Sequence, residues 1–326
     1  RQAIENATIK PRMACKIWKE TAYEIARDKY ATRKALENAN LNTCKACQIW
    51  TADDIPKAFE VVGFPMIIKP TVGMGSSGVY KVSTYEELET QVSRLLNDID
   101  TNWALAQNRV GNQAPILAET FVDPVTFGDV DLVTEFDIDC TFWDGKLMYA
   151  NVIDNWFPEP PYFQDRGFHA PSLTPESIQK ELIDYSAAAV KAMGFERGNF
   201  HMECWYTKTG PILIECNPRV GGGSIDMTHQ QIWGVSPTLN MILAFMDIPV
   251  NPPREIKPKC SYGFMLINAR ESGVIGEKSY VLDAETHKMV ELAAPFKKAG
   301  DEVKGLDVGV PEWLAQVDFK TSAPTY

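Results

Sequence analysis

Apolar side chains recur along this chain with two periods, one helical and one strand-like. From Lys16 to Asn40, Ile17, Tyr23, Ile25, Ala26, Tyr30 and Leu36 form a stripe at helical spacing and predict an amphipathic helix. A short strand around Ala46 to Trp50 ends at Thr51, whose hydroxyl can cap the helix carrying Ile55, Ala58 and Phe59. Gly63 to Pro70 is an apolar run too short for a helix and bounded by Gly and Pro, so it reads as a buried strand. Its last side chain before the turn is Lys69. Gly73, Gly75 and Gly78 follow with Ser76 and Ser77, then a strand from Val79 to Val82 and a helix capped by Ser83 or Thr84, with Glu86 and Glu87 in its first turn.

The second half shifts toward the shorter period. Strands near Ile116 to Val122, Phe136 to Trp143 and Lys146 to Ile153, separated by turns such as Asp144-Gly145, look antiparallel. Thr174 as cap and Pro175 as first helical residue begin a helix running to Met193. Phe200 to Tyr206 and Pro211 to Asn217 flank a Lys-Thr-Gly turn as a hairpin. Gly221-Gly222-Gly223 precedes Ser224 and a helix, Ser236-Pro237 starts another, and Pro249 to Pro253 leads into a β-leaning end.

Composition narrows the classes. A length of 326 residues, at roughly 150 per domain, predicts about two compact units, and 45% apolar with 23% charged residues is a soluble globular balance. Forty-three acids against 32 bases give a net charge of -11, which argues against a nucleic-acid partner. No apolar stretch approaches the ~20 residues of a membrane span, and Arg1 to Lys10 lacks the apolar core of a secretory signal. The expectation is a cytoplasmic protein without a membrane partner. Seven scattered cysteines fit reduced thiols, and Cys44-Lys45-Ala46-Cys47 reads as two ordinary thiols, since no second pair or nearby histidine completes a zinc site.

Three groups of residues carry candidate chemistry. Counting outward from the turn at Lys208 to Gly210 brings Glu203 and Glu215 to facing or near-facing positions, with Asn217 on the same strand face as Glu215. Two opposed carboxylates repel, but with an amide oxygen they suit Mg²⁺, which takes hard oxygen ligands and leaves positions for phosphate and water. Lys69 and the glycine-serine loop after it offer an ammonium and unobstructed backbone N–H groups to a polyphosphate, although not in P-loop order. Arg219 can supply a planar fork to a phosphate or carboxylate.

Together these resemble the ATP-grasp superfamily, most of all the L-amino acid ligases and carnosine-synthase-like carboxylate-amine ligases. The resemblance rests on Asp28 to Arg33, Phe64 to Pro70 and Ile116 to Val122, then on Gly198 to Glu203 and Ile214 to Gly223, in the family's order. It implies an α/β (α+β) fold of two lobes with the nucleotide between them: a helical lead-in over 1–48, a small lobe with the glycine-rich lid over 49–120, a large lobe with the metal site over 121–250, and a β-leaning end over 251–326. It implies ATP with Mg²⁺, or Mn²⁺ in its place. Lys29 and Lys69 match the phosphate-binding lysines, and Gly75, Ser76 and Ser77 the lid. Glu119 and the backbone at Phe121 and Val122 match the hinge that holds adenine and ribose. Glu203, Glu215 and Asn217 match the metal ligands, and Arg219 with Lys69 the groups at the transferred phosphate. Gly221, Gly222 and Gly223 match the amides that approach the substrate carboxylate. His201 is either a pocket group or a satisfied strand histidine, and Trp156 to Phe163 with His169 either a wall of the amino-acid pocket or a packed loop.

The implied reaction activates a carboxylate as an acyl phosphate, which an amine then attacks, with two amino acids as the small-molecule substrates. A homodimer is compatible with the resemblance. The family carries a further α/β domain ahead of the region that begins at Arg1, so the expectation is a fragment or a chain that takes that part from elsewhere. Two alternatives share the nucleotide site: a carboxylase of the biotin-dependent or purine-pathway type, and a non-catalytic ATP-binding module.

Overall fold

The computed structural model describes residues 20–73, 78–97, 115–125, 133–158, 163–252, 257–277, 287–307 and 311–322. Helices α1 (Glu20–Arg27) and α2 (Lys29–Asn38) replace the single expected helix over this stretch. Asp28 breaks it: its backbone is extended, and its carboxylate accepts hydrogen bonds from Tyr30 N (2.8 Å) and Ala31 N (3.1 Å). A short polar side chain that competes for backbone N–H groups starts a new helix where periodicity alone continues the old one. The break frees Lys29 N to donate to Thr71 O at 2.9 Å.

Strand β1 (Ala46–Ile49) and helix α3 (Ile55–Val62) lead to β2 (Met66–Pro70), which is buried along its whole length as its apolar run requires. Then come β3 (Tyr80–Val82), α4 (Tyr85–Asn97) and β4 (Ile116–Thr120). These strands form an antiparallel sheet in the order β1-β4-β2-β3. Its core joins Ile49, Met66, Ile68, Ile116 and Ala118 to Leu88, Val92 and Leu95 of α4. Each fully buried aliphatic side chain of this kind contributes about 1.5–3 kcal/mol.

The second sheet begins with a long hairpin, β5 (Val133–Trp143) and β6 (Lys146–Trp156), followed by β7 (Gly167–Ala170) and α5 (Glu176–Ala192). Pro175 is the N-cap of α5, and Thr174, expected as the cap, instead pairs its hydroxyl with Ser172 Oγ at 2.6 Å. Strands β8 (Gly198–Thr207) and β9 (Gly210–Asn217) form the expected hairpin, with α6 (Ile225–Trp233) and α7 (Pro237–Phe245) after the glycine run. The chain continues through β10 (Ser261–Asn268), β11 (Gly273–Val274), β12 (Val290–Pro295), β13 (Glu302–Val303) and β14 (Trp313–Thr321). Eight strands pair in the order β12-β14-β10-β7-β6-β5-β8-β9, antiparallel throughout, and β11 pairs with β13.

Alternation sorts this sheet. Phe136, Ile138, Phe142, Phe200 and Met202 face a core shared with Leu182, Ala189 and Val190 of α5 and with Ala22 and Leu36 of the first two helices. The opposite face carries Glu135, Asp137, Asp139, His201 and Glu203. Among the described residues no helix is long and apolar enough to cross a membrane, and the six described cysteines are all buried and unbridged.

Candidate active site

The polar face of the large sheet and the end of β2 enclose a cavity of about 620 Å³, within the size range of small-molecule sites. Lys29, Lys69, Gly73 and Phe121 line it from one side, and His201, Glu203, Glu215, Asn217, Arg219, Gly222 and Gly223 from the other. Most of the residues singled out in the sequence therefore meet in one space. Gly75, Ser76 and Ser77 lie outside the described residues.

At its centre Glu203 pairs directly with Glu215 across β8 and β9, and His201 with Asn217. A register shift beside Glu203 makes this so: Trp205 pairs with Ile212 and Cys204 with Leu213, and the next pair skips Ile214. Without that bulge Glu203 would face Ile214, and Glu215 would turn toward the core. Asn217 Nδ2 donates to Glu203 Oε1 at 3.0 Å. Burial first, and the facing Glu215 next, push the Glu203 carboxyl above its usual range. Lys29 Nζ lies 3.3 Å from Glu215 Oε1 and donates to Gly73 O at 3.2 Å, tying Gly73 to the carboxylate pair.

Among the described residues no three His, Cys, Asp or Glu side chains converge as a complete metal cage. Two opposed carboxylates and an amide form a partial set of hard oxygen donors, which fits Mg²⁺ completed by phosphate and water and would not suit a closed tetrahedral site.

Lys69 sits between the cavity and a buried cluster. Its Nζ is 2.5 Å from Glu119 Oε1, while Arg33 Nε lies 2.9 Å from Glu119 Oε2. Burial alone would raise the Glu119 carboxyl; Arg33 and Lys69 overcome it and bring it down to about 2. Glu119 is 1% exposed and does not line the cavity, nor do Val122 and Gly221. Its two oxygens face Lys69 and Arg33 in this structure, and the side chain of Val122 packs against Cys44 and Ile212. Arg33 also donates from Nη2 to Ile214 O at 2.9 Å, joining the small sheet to the bulged strand.

Gly221 has a packing role beneath the glycine loop. A Cβ there would stand 2.7 Å from His201 Nδ1 and 2.7 Å from Ile225 Cγ1, so only glycine lets the loop lie on the histidine. His201 Nδ1 is 3.0 Å from Asp139 Oδ1, and its Nε2 lies 3.8 Å from Asp137 Oδ2 and 3.7 Å from Glu203 Oε1. Burial would lower this imidazole, but Asp137 and Asp139 outweigh that and push it up to about 10. Behind it, Asp139 Oδ2 is 3.2 Å from His229 Nε2, and His229 Nδ1 is hydrogen-bonded to Tyr149 OH at 2.6 Å. The sequence reading gave no role to Asp137, Asp139, His229 or Tyr149. Glu135, Asp137 and Asp139 alternate with Phe136, Ile138 and Cys140, and that period of two was the available signal for an acidic strand face. Trp156, Phe163 and Phe168 wall the cavity, and Trp156 Nε1 donates to His169 Nδ1 at 3.0 Å.

A small antiparallel sheet over a larger one, with lysines on one side and a carboxylate pair on the other, defines the ATP-grasp class. The sequence profile of the ATP-grasp domain matches residues 62–227, just over half of the 326, and the chain belongs to that family. It is 24% identical over 242 residues to carnosine synthase 1 of Gallus gallus, covering 73% of this chain and 25% of that protein. To the L-arginine-specific L-amino acid ligase of Bacillus subtilis it is 22% identical over 186 residues, 56% of this chain and 41% of the relative. The chain thus spans about a quarter of the carnosine synthase. The crystal structure of an L-amino acid ligase from Bacillus licheniformis superposes with a TM-score of 0.76 at 21% identity, covering 93% of this chain and 70% of that one, which shows the shared fold.

Proposed function

We propose that this chain carries the ATP- and Mg²⁺-dependent site of a carboxylate-amine ligase that joins two amino acids through an acyl phosphate. The observation that carries the reading is the pairing of Glu203 with Glu215 and Asn217 in the cavity that also holds Lys29, Lys69 and Arg219. The names of the relatives, carnosine synthase and L-amino acid ligase, support the choice of two amino acids. Glu203, Glu215 and Asn217 would hold the Mg²⁺, which would supply positive charge against the phosphates.

The chain's own groups supply the rest. Lys69, paired with Glu119, and Lys29, beside Glu215, offer ammonium charge to the phosphates. Arg219, exposed at the cavity with Nη1 donating to Val220 O at 2.9 Å, neutralises the oxygens of the transferred group. Backbone N–H groups at Gly222 and Gly223 receive the carboxylate under attack. No enzyme nucleophile is required, because positioning and charge neutralisation carry such a transfer. A cytoplasmic setting, where ATP and free amino acids are available, belongs to this reading.

The test is incubation with ATP, Mg²⁺ and pooled amino acids including β-alanine, reading phosphate release and product mass together. A dipeptide mass with stoichiometric phosphate, both lost in Glu215→Gln, is the expected result. Phosphate release that requires bicarbonate would instead indicate a carboxylase, and ATP binding without turnover a binding module.

A further inference from the structure

The carboxy-terminal strands close the cavity through a hydrogen-bond network that the reaction scheme above does not use. Asp318 on β14 is 2% exposed. Its Oδ2 accepts from Tyr262 OH at 2.8 Å and from Ser224 Oγ, and its Oδ1 accepts from Gln316 Nε2 at 2.9 Å. Gln316 Nε2 also donates to Ser224 Oγ at 2.9 Å. Ser224 follows Gly223 directly, so this bond fixes Gln316 beside the glycine loop. The loop is held from the same side, since Gly223 has a φ of +57° and a Cβ there would stand 3.0 Å from Phe264 Cζ on β10.

The chemistry of the network settles which way the amide points. Ser224 gives its hydroxyl hydrogen to Asp318 Oδ2, so its Oγ can only accept from Gln316, and the amide nitrogen is the end that serves both Ser224 Oγ and Asp318 Oδ1. Both its N–H groups are then committed, and the one polar atom left is Oε1. Among the described residues nothing donates to that oxygen. Gln316 is half-buried and lines the cavity with Gly222, Gly223 and Trp313. An acceptor aimed by two partners and left open beside amides that receive a carboxylate is placed for the other charged end of an amino acid.

We propose that Gln316 is a specificity-determining residue whose Oε1 accepts a hydrogen bond from the ammonium group of the amino acid seated at the glycine loop, with Asp318 as the residue that positions it. The assignment rests on the ligase reading, and its consequence is discrimination between an amino acid and the same carboxylate without its amino group.

The experiment measures phosphate release with MgATP and L-alanine, β-alanine or propionate, for the wild-type chain, Gln316→Leu and Asp318→Asn, with ATP affinity and melting temperature recorded for each. Losing a hydrogen bond to a charged group is expected to raise the amino-acid KM in Gln316→Leu about tenfold and to leave the ATP and propionate KM within about twofold. Asp318→Asn, which lets the amide turn, is expected to shift the same KM by less while kcat holds. An unchanged amino-acid KM in Gln316→Leu, or an equal rise for propionate or ATP, overturns the assignment. A wild-type chain that turns over none of the three probes, nor any pooled amino acid, overturns the ligase reading and the assignment with it.

Discussion

Single residues here act mainly through charge placed out of water. Glu119 is the clearest case, a carboxylate held between Arg33 and Lys69 and kept ionised by them. Replacing it by Gln leaves two buried cations short of a partner, at a cost of about 3–5 kcal/mol, which urea unfolding at pH 7 would read. Linkage gives the same group an acid signature. Its folded pKa of about 2 lies below the ordinary value of 4.5, so its stabilisation is fully present above pH 4.5 and fades as pH falls through about 2. The urea midpoint of the wild-type chain is therefore expected to drop between pH 5 and pH 2, and that of Glu119→Gln to drop less. None of this was legible from Glu119 alone, because its partners come from α2 and β2, 86 and 50 positions away in the numbering.

Elements set the geometry that those charges need. The hairpin of β8 and β9 was legible in its alternating pattern, and so was the nearness of its two glutamates. The extra residue at Ile214 was not legible, since a bulge depends on how the strand meets Arg33 and the small sheet. Deleting Ile214 is expected to restore a regular ladder that still sets Glu215 opposite Glu203, while taking away the carbonyl to which Arg33 Nη2 donates. Mg²⁺-dependent nucleotide binding should then persist in a titration with a fluorescent ATP analogue, while the melting temperature falls. The glycine loop makes a second case. Gly221→Ala drives a Cβ to within 2.7 Å of the imidazole of His201, and overpacking of that kind costs about 1–3 kcal/mol. Activity in the ligase assay is expected to fall more than the melting temperature implies, because the displaced loop carries the amides proposed to receive the carboxylate.

At the scale of the whole molecule, ligands should couple the two sheets, since Lys29, Lys69 and Phe121 on one side and Glu203, Glu215 and Arg219 on the other line the same cavity. ATP with Mg²⁺ at a hundred times its Kd is expected to stabilise the chain by about 2.7 kcal/mol. Chelation with EDTA, or Glu215→Gln, should remove most of that gain in a thermal melt, and an equal shift with and without Mg²⁺ would count against the metal assignment. The sequence by itself determined the local elements, the lysines at a helix start and a strand end, the carboxylate pair and the family's motif order, because hydrophobic period, capping residues and turns act over a few positions. Only the tertiary structure decided that Glu119 lies between Arg33 and Lys69 and does not line the cavity, that a bulge turns Glu215 onto Glu203, that Asp139 and His229 stand behind His201, and that β10 and β14 brace the glycine loop. Those outcomes depend on which side chains from distant segments share a buried, low-dielectric space, and there the energy of a charge is set by neighbours that no local pattern names.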